Sequence, residues 1–304
     1  MNTRVLHFND GAIAEAARLI LAGEPVAVPT ETVYGLAADA TNAEAVARIY
    51  EAKGRPSFNP LIVHVPDLAA AQRIGEFDDQ AMALAQQHWP GPLTLVVPLR
   101  SDARIASLVT AGLPTVGVRV PDHPAMQALL RGTGRPLAAP SANASGSISP
   151  TRAEHVLNSL GGRVQLIIDG GPTKRGIEST IVGTSGGPLR LLRRGPLEVD
   201  AELVAGSTIE APGQLASHYA PSKPLRLGAR SADDDEYLIG FGPIDGIESL
   251  SRTGDLVEAA SRLFDLLHRA DESPSLKIAV APVPDAGLGA AINDRLRRAA
   301  LDRD

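Results

Sequence analysis

The chain has 304 residues and carries 29 Lys and Arg against 35 Asp and Glu, a formal net charge of −6. This acidic balance argues against a polybasic membrane anchor or a non-specific nucleic-acid coat. There is no cysteine, which excludes a disulfide framework and any cysteine-ligated metal site. The length favours about two domains, and 44% hydrophobic residues suffice for a buried core.

Nothing in the sequence indicates a membrane or an export pathway. No segment approaches the ~20 uncharged apolar residues of a membrane span. The first residues, MNTRVLHFNDG, lack the apolar stretch of a secretory signal. We therefore expect a cytoplasmic protein without a membrane partner.

Helix-like and strand-like segments alternate from the start of the chain. Asp10 is predicted to cap a first helix, and PVAVP (25–29) follows as a strand. Asn42 is predicted to cap a second helix, which ends before Pro56 because proline disfavours the helical conformation of the residue before it. Further strand-like runs are LIVHV (61–65), TLVVPL (94–99), TVGVRV (115–120), PLAA (136–139) and VQLII (164–168).

Two more helices are predicted over 79–88 and 151–160, the second with Ser149 as its cap and Pro150 at its first position. The proline- and serine-rich segment 206–224 has no regular periodicity and indicates a linker. Beyond it lie strands at 237–242 and 277–283, a helix capped by Asp255 and a last helix over 288–301. This order predicts an α/β domain over 1–205, a linker over 206–224 and a small α/β domain over 225–304.

Two early segments carry polar side chains beside strands. In PTETVYGLAADA (29–40), a hydroxyl-rich loop closed by Gly35 either binds a polar ligand or satisfies its own turn. In KGRPSFNPLIVH (53–64), Lys53 and Arg55 flank a glycine, and an extended backbone would send both cations to one side, as a polyphosphate requires. Because a bare KxR is common, two solvated charges at a helix end are the simpler explanation of this segment taken alone. His64 alone in an apolar strand is more typical of a core residue.

Two later segments suggest a ligand platform. TVGVRVP (115–121) alternates strictly, so that one face carries small groups and a cation, although an ordinary half-exposed strand has the same pattern. The two faces are Val116, Val118 and Val120 against Thr115, Gly117 and Arg119. In APSANASGSISPT (139–151), Ser141 and Asn143 can point together, as in loops that bind ribose and phosphate; a flexible serine-rich loop is the alternative. The GxxxxGK[ST], HExxH and GxSxG motifs are absent, and no GxGxxG is well placed.

Taken in order, the segments PTETVYGL, KGRPSFNPLIVH, TVGVRVP, APSANASGSISPT, ESTIV and LRRG resemble the YrdC-like family of threonylcarbamoyl-AMP synthases over residues 25–200. HYAP (218–221) and the sequence after it are similar to the linker and appended domain of the long form. The resemblance implies a twisted α/β catalytic domain with a concave cleft, similar to a double-stranded-RNA-binding fold. It also implies a small Rossmann-like α/β C-terminal domain.

The activity implied by the resemblance is that of a nucleotidyltransferase. L-threonine, bicarbonate and ATP become threonylcarbamoyl-AMP and pyrophosphate, and tRNA-modifying transferase proteins use the product to modify the adenosine next to the anticodon. Mg²⁺ is expected through the ATP phosphates, with no metal site of the protein. The alternative is a non-catalytic RNA- or ribosome-binding module, which the charge of −2 over residues 1–210 disfavours. Direct tRNA binding stays open.

The resemblance also assigns site residues by motif position. Lys53 and Arg55 are the expected catalytic pair, because the chemistry brings two anions together. Tyr219 is the expected lid, and Arg119 is expected to hold the threonine carboxylate. The threonine site would comprise Thr32, His64, Arg119 and Ser179. The nucleotide site would comprise Arg55, Asn59, Thr115, Ala139, Ser141, Asn143, Ser149, Arg193 and Tyr219.

Overall fold

Strands and helices alternate along the chain in the computed structural model, which describes residues 2–56, 59–185, 187–204 and 218–301. The strands are β1 (Arg4–His7), β2 (Val26–Pro29), β3 (Tyr34–Asp39), β4 (Ile62–His64), β5 (Leu93–Pro98), β6 (Thr115–Arg119), β7 (Leu137–Ala138), β8 (Leu166–Asp169), β9 (Thr180–Gly183), β10 (Arg190–Arg193), β11 (Glu202–Leu203), β12 (Leu225–Leu227), β13 (Glu236–Gly240), β14 (Glu248–Ser249) and β15 (Lys277–Val280). The helices are α1 (Asp10–Leu21), α2 (Ala43–Lys53), α3 (Leu68–Gln72), α4 (Asp79–His88), α5 (Ser107–Thr110), α6 (Pro124–Thr133), α7 (Ala153–Leu160), α8 (Leu256–Glu272) and α9 (Leu288–Ala299).

The first eleven strands form one mixed sheet in the order β1-β8-β2-β3-β7-β4-β6-β5-β9-β10-β11. Strands β4 and β6 are parallel, with His64 opposite Arg119. Strand β5 is antiparallel to β6 and parallel to β9, with Leu93 opposite Thr180. The carboxyl ends of β4 and β6 therefore meet the first residues of β5 and β9 at one edge of the sheet.

Aliphatic side chains supply most of the core, as expected from an aromatic content of only 3%. The alternation predicted for β6 is confirmed, since Val116, Val118 and Val120 are all buried in one apolar cluster.

The last four strands form a second, wholly parallel sheet in the order β12-β15-β13-β14, with α8 and α9 packed against it. Its apolar cluster extends across the boundary and includes Val33, Ile148, Ile177 and Tyr219. The expected two α/β units are confirmed. The boundaries chosen from the sequence stay predictions, and most of the linker, 206–217, lies outside the described residues.

Several local expectations are borne out and others are wrong. The caps at Asn42 and Asp255 are confirmed. Asn9, not Asp10, caps α1, because its Oδ1 accepts a hydrogen bond from the Ala12 amide. Helix α7 begins at Ala153, so Ser149 is not its cap.

Two backbone expectations at the motifs also fail. Gly35 does not close the hydroxyl-rich loop but lies inside β3, which begins at Tyr34 and pairs with β2 and β7. Gly54 ends α2 at φ 59°, ψ 36°, so the backbone between Lys53 and Arg55 is left-handed and not extended. The two cations consequently take different directions, as described below. No helix among the described residues has the length and apolar character needed to span a membrane.

Candidate functional site

A cavity lies at the edge of the first sheet where β4, β6, β5 and β9 meet. Its lining side chains come from the first sheet unit and from His218 and Tyr219 in the predicted linker. Its lining comprises Thr30, Thr32, Val33, Gly35, Arg55, Ile62, His64, Arg119, Ala139, Pro140, Ser141, Glu178, Ser179, Arg193, His218 and Tyr219. All four residues expected at the threonine site are among them.

Arg119 is held at the end of β6 by three hydrogen bonds. Its Nε donates to the carbonyl of Gly91 at 3.2 Å, and its Nη1 donates to Thr32 Oγ1 at 2.9 Å. Its Nη2 donates to the buried carboxylate of Glu31. The guanidinium is thus oriented and partly neutralised, and its remaining N–H groups are available to an anionic ligand.

His64 lies beside Arg119 at the end of β4 and is buried. Burial and the neighbouring guanidinium lower the pKa of His64 to about 3. Within the described part of the chain its Nδ1 has no hydrogen-bond partner. His64 therefore offers a neutral ring with an unused polar atom in the cavity wall.

Ser179 connects this region to Arg193 at the end of β10. The Nε of Arg193 donates to the Ser179 carbonyl and its Nη2 to the Ser179 hydroxyl, both at 3.1 Å. The same hydroxyl lies 2.8 Å from Thr94 Oγ1. Burial lowers the pKa of Arg193. A buried arginine is thereby fixed against a hydroxyl of the expected threonine site.

Arg55 also reaches the cavity. Its Nη2 donates to the carbonyl of Pro60 at 3.1 Å, and burial lowers its pKa to about 10. Lys53 takes another direction. Its ammonium donates to the carbonyl of Ser141 at 2.6 Å and to the carbonyl of Asn143, so it anchors the loop that carries Ser141.

Five of the expected site residues do not line the cavity. Lys53 and Asn143 lie behind the Ser141 loop, and the Asn143 amide donates to the carbonyls of Ala144 and Ser147. Thr115 is at the opposite end of β6 from Arg119. The Oδ1 of Asn59 is buried without a partner among the described residues. Ser149 is fully buried and donates to Glu178.

The roof of the cavity comes from His218 and Tyr219. The Tyr219 ring is 1% exposed and packs 5.5 Å from the ring of Phe264 on α8, and Arg295 on α9 lies 5.4 Å from its centroid. Tyr219 takes φ 66°, a left-handed conformation uncommon for a tyrosine. The second sheet unit therefore holds the roof in place.

Sequence reasoning missed Glu178, His218, Glu31 and Arg295. The first two stand inside the quoted ESTIV and HYAP segments, so position within a motif was the available signal. Glu31 also lies in a quoted segment, but its partner Arg119 is distant in sequence. No local sequence pattern indicates the role of Arg295, because its contacts with Glu178 and Tyr219 form only when α9 packs against the first unit.

No group of three or more His, Asp or Glu side chains in the described ranges is placed to hold a metal ion. Among the described residues that line the cavity, Glu178 supplies the one carboxylate, and both its oxygens are already hydrogen-bonded. The described residues that line the cavity therefore offer no carboxylate oxygen that is free of a hydrogen bond.

The fold and cavity define an α/β protein whose buried arginines, hydroxyls and neutral histidine suit a small anionic ligand. The family model described as "Telomere recombination" matches residues 18–195, and that of the threonylcarbamoyl-AMP synthase C-terminal domain matches residues 173–301. The threonylcarbamoyl-AMP synthase of Bacillus subtilis is 42% identical, with 99% of this chain and 96% of that protein covered. The synthase of Pyrococcus abyssi is 40% identical, with 93% and 92% covered.

Comparison with a solved structure indicates the same family. The crystal structure of P. abyssi Sua5 complexed with L-threonine has a TM-score of 0.90 and 36% identity, with 98% of each chain covered. The chain belongs to the threonylcarbamoyl-AMP synthase family, which is a family of enzymes.

Proposed function

We propose that this chain catalyses the synthesis of threonylcarbamoyl-AMP from L-threonine, bicarbonate and ATP, with release of pyrophosphate. The observation that carries the proposal is the convergence of Thr32, His64, Arg119 and Ser179 with Arg55 and Arg193 in one roofed cavity. The relatives of similar length are named as synthases, which favours this activity over a non-catalytic RNA- or ribosome-binding role.

The reaction joins two anions. The threonine amine attacks the carbon of bicarbonate, a C–N bond forms and water leaves. A carboxylate oxygen of the resulting carbamate then attacks the α-phosphorus of ATP, and the bond from that phosphorus to the bridging oxygen breaks to release pyrophosphate. The carbamate and the triphosphate are both anions and repel each other in water. A site that aligns them next to fixed cations therefore lowers the activation barrier of the attack.

The chain's side chains divide this task between two regions. Around β4 and β6, Arg119 binds the threonine carboxylate with its remaining N–H groups, while Thr32, Ser179 and the neutral His64 hydrogen-bond the rest of the amino acid. Because burial keeps His64 uncharged, it accepts or donates a hydrogen bond without attracting phosphate to the wrong place.

The nucleotide occupies the other region. Arg55 and Arg193 face the phosphates, Ala139 and Ser141 line the same wall, and Tyr219 covers the nucleotide. Lys53 acts in this proposal through the Ser141 loop that it anchors, as a positioning residue. Asn59, Thr115, Asn143 and Ser149 belong to the proposed nucleotide site by motif position alone, since none of them lines the cavity.

Mg²⁺ is part of the proposal only as an ion bound by the ATP phosphates, where it would neutralise charge. Mg²⁺ keeps several waters and is usually held by substrate phosphates with one or two carboxylates, so the ATP phosphates would supply most of its ligands other than water. The downstream partners are tRNA-modifying transferase proteins that consume the product, and the compartment is the cytoplasm.

Pyrophosphate release from the full chain tests the proposal. Release is expected to need ATP, L-threonine and bicarbonate together, and Arg55→Ala is expected to lose most of it because the phosphates lose a buried cation. Arg73→Ala is the matched control, since Arg73 is exposed and outside the cavity lining. Release that persists without threonine, or an unchanged rate for Arg55→Ala, would contradict the assignment.

A further inference from the structure

Contacts from the C-terminal unit converge on Ser149 and Glu178 beside the cavity. The Nε of Arg295 on α9 donates to Glu178 Oε2 at 3.0 Å, and the Ser149 hydroxyl donates to Glu178 Oε1 at 2.5 Å. The ring Nε2 of His268 on α8 lies 3.2 Å from the Ser149 carbonyl oxygen. Ser149, which motif position assigns to the nucleotide site, is therefore held on both its side chain and its backbone by these contacts.

Arg295 is an unusual residue to bury. It is 0% exposed, bonds Asp294 Oδ2 through Nη1 at 3.0 Å and lies against the Tyr219 ring. Its Nη2 has no hydrogen-bond partner within the described ranges. An ion pair taken out of water with an unsatisfied N–H contributes little to stability, and apolar side chains of similar size commonly serve a fold as well. Stability alone is a poor reason for this arginine.

The position of Glu178 explains why an arginine is buried at position 295. Glu178 lines a cavity that also presents Arg55, Arg119 and Arg193, an arrangement that suits anions. A bare carboxylate in that wall would repel a triphosphate, and burial strengthens the repulsion because the surroundings screen charge poorly. Arg295 approaches Glu178 from the C-terminal unit, since Arg295 is not among the cavity-lining residues.

We propose that Arg295 is a positioning residue for the nucleotide: it neutralises Glu178 and so fixes the Ser149 hydroxyl and the Tyr219 roof for ATP. This inference rests on the proposed function, and it gives the C-terminal unit a specific part in that function. ATP affinity, more than threonine affinity, then depends on an arginine that does not line the site.

Calorimetric binding of a non-hydrolysable ATP analogue to the full chain tests the proposal. Arg295→Met is expected to weaken binding roughly tenfold or more at about pH 8, because Glu178 is left charged and unpaired. The double variant Arg295→Met with Glu178→Gln is expected to recover most of the affinity, because no unpaired carboxylate is left in the cavity wall.

A purely structural role predicts different results. It predicts a defect that Glu178→Gln does not rescue, and that observation would overturn the proposal. Should Arg295→Met fail to fold, Glu178→Gln alone decides, since removal of the carboxylate is expected to leave ATP-analogue binding at least as tight as before. Weaker binding by that variant would also overturn the proposal.

The matched control is Arg226→Met, which removes the arginine partner of another buried glutamate, Glu236, inside the second sheet unit. It is expected to lower the melting temperature and leave analogue binding unchanged. Because binding is measured without turnover, a chain that binds the analogue but makes no threonylcarbamoyl-AMP would contradict the proposed function while the test of Arg295 still stands.

Discussion

At the scale of single residues, Ser179 joins the two regions of the cavity. Its hydroxyl lies between Thr94 and Arg193, and its position in the cavity wall is next to Glu178. We predict that Ser179→Ala raises the KM for L-threonine about tenfold, the effect of losing one or two hydrogen bonds to a charged substrate. Steady-state kinetics at saturating ATP measure the change.

A buried serine away from the cavity provides the control for that variant. Ser251 is fully buried in the second sheet unit, where its hydroxyl accepts a hydrogen bond from the Asp255 amide. Ser251→Ala is expected to cost some stability and leave the KM for threonine unchanged. Equal KM values for Ser179→Ala and the unaltered chain would refute the assigned role.

Individual residues also show how much of the site could be predicted from the sequence. Motif resemblance named nine residues that the cavity brings together, including all four of the expected threonine site. It could not assign the direction of Lys53, because that depends on carbonyls of Ser141 and Asn143, 88 and 90 residues further along the chain. Spacing within a KxR segment contains no information about such a partner.

At the scale of elements, the turn before β9 packs directly against α8. Gly176 has φ 71°, and a Cβ placed there would lie 2.4 Å from the Ala260 carbonyl oxygen and 2.5 Å from the Ser261 Cα. We predict that Gly176→Ala forces α8 away from this turn, which lowers the melting temperature and weakens ATP binding by disturbing Glu178 two residues later. Thermal unfolding and calorimetry measure the two effects.

The variant Gly171→Ala is the control that distinguishes the steric clash at Gly176 from the strain of a left-handed backbone. Gly171 has φ 80°, similar to Gly176, but a Cβ there would meet no atom within 4 Å among the described residues. Gly171→Ala is therefore expected to show only the strain of a left-handed alanine, about 1 kcal/mol, with ATP binding retained. Equal losses of ATP binding in the two variants would contradict the proposed contact between turn and helix.

Element boundaries were predictable where a local signal decided them. Asn42 and Asp255 cap α2 and α8 through their own side chains, an interaction within three residues. Ser149 has the residue type and position of a cap, yet its hydroxyl bonds Glu178 and α7 starts later. A tertiary hydrogen bond to a glutamate 29 residues away outcompeted the local one.

At the scale of the whole molecule, the folded state buries several uncharged histidines. Burial lowers the pKa of His64 and His155 to about 3, and it lowers the pKa of His218 well below its usual value. The unfolded chain binds protons at these side chains near pH 6.5 while the folded chain excludes them. The free energy of unfolding must therefore fall as the pH falls from about 6.5 towards about 3.

We predict that chemical denaturation gives a lower free energy of unfolding at about pH 5.5 than at about pH 7.5, by at most about 1.4 kcal/mol per pH unit for each buried histidine. His155→Gln is expected to flatten this dependence. Stability that is constant or rises on acidification would contradict the burial of neutral histidines.

Net charge at this scale was a poor guide to the site. A chain of charge −6 places three arginines in one cavity and brings a fourth, Arg295, from a separate unit to neutralise the glutamate in its wall. The α/β class and the two units followed from periodicity, whereas the docking of α9 depends on contacts between segments more than 100 residues apart. Sequence patterns could therefore not predict that Arg295 would pair with Glu178.

The central claim is the synthesis of threonylcarbamoyl-AMP in the cavity at the edge of the first sheet. Mass spectrometry of a reaction of the full chain with ATP, L-threonine and carbon-13-labelled bicarbonate tests it most directly. The account predicts an adduct of AMP and threonine that carries one labelled carbon, formed together with pyrophosphate. Pyrophosphate or AMP without the labelled adduct, from folded protein, would contradict it.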